Sequence, residues 1–180
     1  MRPVVTLTLN PAVDKSATAD QVVPEHKLRC DEVRFEPGGG GVNVARVIAE
    51  LGGRSRALVA LGVPSGALLR GLLQCTGLNH QPLPISGWAR ENLTVYERAS
   101  GLQYRFGMPG PTWSADEWAA ALDALDALEP APAYLVISGS LPPGAPADGY
   151  GRIAERAKAK GARVVVDASG PSLRGALAAG

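Results

Sequence analysis

The 180-residue sequence has little with which to ligate a transition metal or cross-link itself: two cysteines, two histidines and two methionines. Cys30 and Cys75 stand alone, with no CxxC spacing and no histidine pair nearby. They read as reduced thiols packed, buried or half-buried, as small hydrophobes. His26 and His80 have no partner at ligand spacing, which argues against a zinc site. An excess of one charge is also missing. Eighteen basic and 17 acidic side chains leave +1, so bulk electrostatics gives no reason to expect nucleic acid or an anionic membrane as a partner. Long hydrophobic runs are absent as well. The opening segment is apolar for only a few residues before Asn10 and Asp14, which suits neither a signal peptide nor a membrane span, and a cytoplasmic protein is expected.

What is present is a core. The composition is 46% hydrophobic and 19% charged, as in soluble globular proteins, and a domain of this size buries roughly 70% of its unfolded surface. Residues 3–9 are β-branched and apolar and stop at Asn10-Pro11, as a buried first strand would. Residues 21–37 lack helical periodicity, and Val33-Arg34-Phe35 alternates like a strand with one wet face. A helix follows Gly38–Gly41, with Val44, Val47, Ile48 and Leu51 at i, i+3, i+4 and i+7 and Gly52-Gly53 as its stop. Residues 56–61 predict another strand and 67–75 a helix. Residues 93–98 and 103–107 flank Ala99-Ser100-Gly101 as a hairpin would. Ser114 and Glu117 form a capping box ahead of Trp118, Leu122, Leu125 and Leu128. Strand 134–137, helix 147–160, strand 163–166 and a helix over 172–179 complete the pattern. Alternation of this kind predicts a doubly wound, mostly parallel α/β sheet, and the β-rich stretches 15–37 and 88–108 suit a small sheet standing outside it as a lid.

In open α/β sheets ligands gather beyond the carboxyl ends of the strands. Those ends carry Asn10 and Asp14, then Gly38–Asn43, Ser138–Ser140 and Asp167, all small, polar or acidic. Asp14 can accept hydrogen bonds from two sugar hydroxyls; its plainer alternative is a turn cap. The run from Gly38 to Gly41 lets backbone N–H groups approach a ligand at a helix N-terminus, or serves as a flexible hinge. It is neither a Walker A loop nor a GxGxxG fingerprint. Lys27, Arg29, Arg90 and Arg105 are candidate anion contacts or, singly, solvated surface charges. Ser138 and Ser140 lack a GxSxG elbow and a suitable histidine, which argues against a hydrolase triad.

Phe35-Glu36-Pro37-Gly38-Gly39-Gly40-Gly41-Val42-Asn43-Val44-Ala45-Arg46 resembles the first signature of the ribokinase-like (PfkB) carbohydrate kinase family. Thr6-Leu7-Thr8-Leu9-Asn10-Pro11-Ala12-Val13-Asp14 is similar to its phosphofructokinase branch. Lys27-Leu28-Arg29-Cys30, Gln103-Tyr104-Arg105-Phe106 with Met108-Pro109-Gly110, and Ser138-Gly139-Ser140-Leu141-Pro142-Pro143-Gly144 sharpen this toward the minor 6-phosphofructokinases. The resemblance implies a ribokinase-like fold over residues 1–180 with its C-terminal part missing, and ATP-dependent phosphoryl transfer to fructose 6-phosphate. Fructose 1-phosphate or tagatose 6-phosphate kinases are the near alternatives.

The resemblance further implies that Asp14, Gly39 and Asn43 hold sugar hydroxyls, that Lys27, Arg90 and Arg105 hold the substrate phosphate, and that Ser140 lies nearby. It implies a homodimer through the lid, with room for phosphate contacts to cross it. ATP and Mg²⁺ are the implied cofactors, with Asp167 reaching the metal only through water. Family members continue into a KPN/NxxE segment and a GAGD motif whose aspartate is the catalytic base. No Gly-Ala-Gly-Asp occurs in these 180 residues. The isolated chain is therefore expected to be inactive, leaving a sugar-phosphate-binding module or an unstable remnant with a bare sheet edge as the other readings.

Overall fold

Short apolar strands alternate with amphipathic helices, and the chain can hide both only by winding the helices onto the two faces of a parallel sheet. The computed structural model describes residues 3–62 and 65–180, so Met1 and Arg2 of the opening segment fall outside it. In chain order the elements are β1 (Val4–Thr8), β2 (Ala12–Ala19), β3 (Asp31–Gly38), α1 (Gly40–Glu50), β4 (Ser55–Leu61), α2 (Ser65–Cys75), β5 (His80–Pro84), β6 (Arg90–Glu97), β7 (Gln103–Gly107), α3 (Ala115–Asp126), β8 (Tyr134–Ser138), α4 (Gly149–Ala159), β9 (Arg163–Asp167) and α5 (Gly170–Ala178).

Five strands form the main sheet in the order β5-β4-β1-β8-β9, every neighbouring pair parallel. From β1 the chain winds outward through β4 to β5, then returns to the other side of β1 for β8 and β9. The order therefore reverses between β1 and β8, which is where a doubly wound sheet opens a crevice. Alternation along β4 serves both faces. Leu58 and Ala60 join Val5, Leu7, Leu135, Ile137, Tyr150 and the apolar stripe of α3. Ala57, Val59 and Leu61 pack with Val42, Leu69 and Leu73 from α1 and α2. Each fully buried leucine or isoleucine here contributes about 1.5–3 kcal/mol relative to exposure.

The second sheet has the order β3-β2-β6-β7, with β2–β3 and β6–β7 antiparallel and β2–β6 parallel. The hairpin at Gly101 and the reciprocal Ser114–Glu117 capping box form where the sequence predicts them.

Several expectations are corrected. Helix α1 is present, but its buried face is Gly41, Val42 and Ala45; Val47 is half exposed and Leu51 is 82% exposed. Small residues let the helix start press onto the sheet, which turns the predicted valine–leucine stripe outward. Cys30 and Cys75 are both exposed rather than packed. Cys75 lies two residues beyond the buried Leu73, on the opposite side of α2, and Cys30 lies in the exposed stretch before β3. Strand β3 has no dry side over its first six residues, because no apolar layer of the described residues covers Val33 and Phe35, although the Lys15 ammonium stands 5.6 Å from the Phe35 ring centroid. Strands β2 and β5 are additional to those predicted. β5 contains Pro82 and Pro84, which a central strand would reject but the rim position tolerates.

Candidate functional site

The crevice between β1 and β8 is closed from one side by the start of α1. Gly40 presses so near the β8 end that a Cβ there would stand 2.1 Å from Ser138 Oγ. Gly38 does the same for the second sheet, since its Cβ would meet Asp14 Oδ2 at 2.1 Å. The glycine run is thus a packing requirement as well as an opening for backbone N–H groups. Gly39, the N-cap of α1, sits at φ 118°, a conformation that side-chain-bearing residues avoid. One turn on, exposed Asn43 accepts a hydrogen bond from Arg46 on Oδ1 (3.1 Å), and Arg46 also reaches Glu36 (3.5 Å). The Asn43 amide NH₂ is left facing outward as a donor.

Asn10 joins the crevice to the small sheet. Its Nδ2 donates to Ser140 Oγ (3.0 Å), and its backbone carbonyl accepts from Arg90 Nε (3.2 Å). Its Oδ1 is buried with no partner among the described residues, so it is an acceptor held ready in the crevice wall. Because Arg90 spends only Nε on this contact, its two terminal nitrogens remain available.

Cross-strand register then assembles a polar face. Asp14 lies opposite Asn92 on one side and Glu36 on the other, and Thr94 lies opposite both Ser16 and Arg105. Arg90, Asn92 and Thr94 are two residues apart along β6, so they share this face. Asn92 Nδ2 donates to Asp14 Oδ1 at 2.8 Å, fixing the carboxylate and leaving Oδ2 free to accept. The result is an open cleft of about 530 Å³ lined by Asp14, Glu36, Arg90, Asn92, Thr94 and Arg105 among others, a volume within the range of small-molecule sites. Arg105 makes no hydrogen bond or ion pair with a described residue. A carboxylate acceptor in one cleft with two guanidiniums can take hydroxyls and an anionic group from one ligand.

The floor of the crevice is the turn Ser138-Gly139-Ser140. Ser138 Oγ donates to Asp167 Oδ2 (2.8 Å), Gly139 N–H to the Asp167 carbonyl (3.0 Å), and buried Tyr150 donates its hydroxyl to the Gly139 carbonyl (3.0 Å). Burial, reinforced by the Asp167 charge, pushes the Tyr150 phenol well above its ordinary value. It stays a neutral donor beneath the turn.

The structure brings Asp14, Arg90 and Arg105 into one cleft, and places Gly39, Asn43 and exposed Ser140 at the adjoining crevice. Lys27 is not in this cleft. It lies with Arg29 in the exposed stretch 20–30 between β2 and β3. Asp167 is exposed and stands singly; among the described residues no three His, Cys, Asp or Glu side chains gather as a metal site. One carboxylate suits a water-mediated contact to Mg²⁺, an ion that keeps much of its hydration shell, and does not by itself make a metal site. Asn92 and Tyr150 are missed by reading the sequence. Asn92 could have been found from its two-residue spacing to Arg90, and Tyr150 from the need of any buried tyrosine for a hydroxyl partner.

Comparison with known proteins gives a consistent result. The family described as pfkB family carbohydrate kinase matches residues 4–179. ATP-dependent 6-phosphofructokinase isozyme 2 of Escherichia coli (strain K12) is 43% identical over 177 residues, covering 98% of this chain and 57% of that protein. The Mycobacterium tuberculosis (strain ATCC 25618 / H37Rv) protein of the same name is 42% identical over 171 residues, covering 95% of this chain and 50% of its own. The crystal structure of phosphofructokinase-2 from Escherichia coli in complex with fructose-6-phosphate superposes with a TM-score of 0.93 at 42% identity, over 100% of this chain and 59% of that one. The chain thus spans about half the length of the curated relatives it matches. No helix of the described residues is long and apolar enough to cross a membrane.

Proposed function

The chain belongs to the pfkB family of carbohydrate kinases, and on that premise we propose that it carries the acceptor site of an ATP-dependent kinase acting on fructose 6-phosphate. The observation that carries this reading is the single polar face on which Asp14, oriented by Asn92, shares a cleft with Arg90 and Arg105. Asp14 accepts from ring hydroxyls, with Asn43 and the amides around Gly39 completing that end. The guanidiniums take the phosphate already on the sugar, which a kinase of an unphosphorylated sugar does not need. Ser140, tied to Asn10, borders the acceptor hydroxyl.

ATP is the donor and Mg²⁺ its companion; when bound they supply the phosphoryl group and neutralise charge on it. The present residues bind and orient the acceptor. Since the GAGD base does not occur among them, the 180-residue chain alone binds the sugar phosphate without turning it over. The small sheet acts as a lid over the cleft. Its other face, with Val33 (55% exposed), Phe35 and Phe106 uncovered, packs against the same face of a second copy in a homodimer.

Titration calorimetry with fructose 6-phosphate tests the reading. Arg90→Ala and Arg105→Ala should each weaken binding about tenfold or more, while binding of unphosphorylated fructose stays as weak as before. Unchanged affinity in both variants, or a preference for fructose 1-phosphate, would overturn the assignment.

A further inference from the structure

The small sheet is gripped at the end remote from Asp14. Strands β6 and β7 are joined by the turn 98–102, and the two residues at its entrance, Glu97 and Arg98, reach across β2 to both ends of the stretch 20–31. Glu97 is 5% exposed, the single carboxylate among the buried polar side chains described. Its Oε1 accepts the Val22 N–H at 2.5 Å, and its Oε2 accepts from Ser100 Oγ and, at 3.4 Å, from the Tyr104 hydroxyl. Arg98 donates to Asp20 at 2.8 Å, to Asp31 at 2.9 Å and to Glu32 at 3.4 Å. The backbone adds Arg98 N–H to the Ala19 carbonyl and Ala99 N–H to the Asp20 carbonyl, each 3.0 Å.

These contacts converge on the neck of one loop. Asp20 and Val22 open it, Asp31 and Glu32 close it, and between them everything except Val22 and Val23 is exposed. Glu32 sits in the left-handed region at φ 50°, a conformation that persists in a residue with a side chain only when neighbours fix it. Its carboxylate is held by Arg98 and by the Thr18 hydroxyl (3.1 Å). A planar guanidinium spanning three carboxylates from two chain segments is a geometry an ammonium cannot reproduce. The loop so closed presents Lys27 and Arg29 on either side of exposed Leu28, with no bond of their own to any described residue.

We propose that Glu97 and Arg98 form a clamp that positions the 20–31 loop so that Lys27 meets the phosphate of the bound sugar. Both residues are positioning residues, acting through Lys27. This rests on the sugar-phosphate reading of the preceding subsection and on the phosphate contact that the family resemblance implies for Lys27. The loop stands at the opposite end of β2 from Asp14 and the clamp fixes it there, so the cleft that Lys27 serves is that of a second copy packed on the small sheet.

The test uses the 180-residue chain with Arg98→Met, Arg98→Lys, Glu97→Gln, Lys27→Ala and the Arg98→Met/Lys27→Ala double variant. Trypsin cleavage after Lys27 and Arg29 should accelerate about tenfold in Arg98→Met, since cleavage follows the population of the open loop. Arg98→Lys should restore protection only in part, and the thermal midpoint of the main transition should stay near wild type. Fructose 6-phosphate binding should weaken about fivefold in Arg98→Met, as in Lys27→Ala, and the double variant should bind no worse than Lys27→Ala alone. Glu97→Gln guards against a folding failure of Arg98→Met and should show the same pattern more weakly. Unchanged cleavage would overturn the clamp. A freed loop with unaltered affinity, or losses that add in the double variant, would overturn positioning through Lys27. Absence of sugar-phosphate binding in the wild-type chain would instead sink the premise, with the cleavage rates still judging the clamp.

Discussion

The two sheets of this molecule are built on different physics. In the main sheet β1 and β4 are buried along nearly their whole length, apolar side chains face helices on both sides, and polar groups are few. In the small sheet β3 and β7 are exposed almost throughout. Its order comes from strand pairing and from charged side chains such as Asp14, Glu97 and Arg98, which bond across strands. Burial gives the first sheet a stability that no single polar contact can rival. Directional bonds give the second a fixed arrangement of ligand-binding groups at little apolar cost. The chain thus separates what keeps it folded from what selects its ligand.

Three perturbations sharpen that contrast beyond the arginine and clamp variants already described. The largest effect belongs to the main sheet: Leu7→Ala, at a position with no exposed surface, should lower unfolding free energy by about 3–5 kcal/mol. Denaturant unfolding reads this directly, and a loss below about 1 kcal/mol would show that the main core does not dominate stability. An intermediate and selective effect belongs to acidification. The Ser100 hydroxyl and the Val22 N–H hold the Glu97 carboxyl below its ordinary value of 4.5. A depressed carboxylate stabilises the fold at pH values above 4.5 and loses that contribution as the pH falls through its folded-state pKa. Hydrogen exchange, corrected for its intrinsic pH dependence, should therefore show loop 20–31 losing protection at a higher pH than β1. Simultaneous loss would mean the two sheets are not separable. The smallest effect on stability belongs to the uncovered face of the small sheet. Phe35→Asp should alter unfolding free energy by only about 0.5 kcal/mol, yet shift sedimentation from dimer to monomer. An unchanged mass would place the contact between copies elsewhere.

Most of the main sheet was legible in the sequence because burial leaves a periodic imprint: runs of β-branched residues, a capping box at Ser114 and Glu117, turns at glycine. It failed where that imprint was overridden. β5 was hidden by Pro82 and Pro84, which strand propensity rejects but a rim position accepts. In α1 the apolar spacing of Val44, Val47, Ile48 and Leu51 identified the helix but not its buried side, because contact there is made by glycine and alanine. For the site, the strand-end rule located Asn10, Asp14, the glycine run and Ser138–Ser140. What no local pattern could supply was cross-strand register. Only the pairing of β2 with β6 reveals that Asn92 orients Asp14, and only the three-dimensional path of α4 puts Tyr150 beneath Gly139.

The prolines of β5 have one more effect. Ile85 donates its N–H to the Leu61 carbonyl of β4 (3.2 Å), so the N–H groups of Leu83 and Gln81, two and four residues back, point inward as well. The outward-pointing positions are then 80, 82 and 84, and the last two are proline. Beyond His80, an incoming strand at that rim would find carbonyls but neither of the next two donors it needs to continue the ladder. The β5 rim is thereby blunted against fibre-like growth by two residues that cost the strand nothing on its paired side.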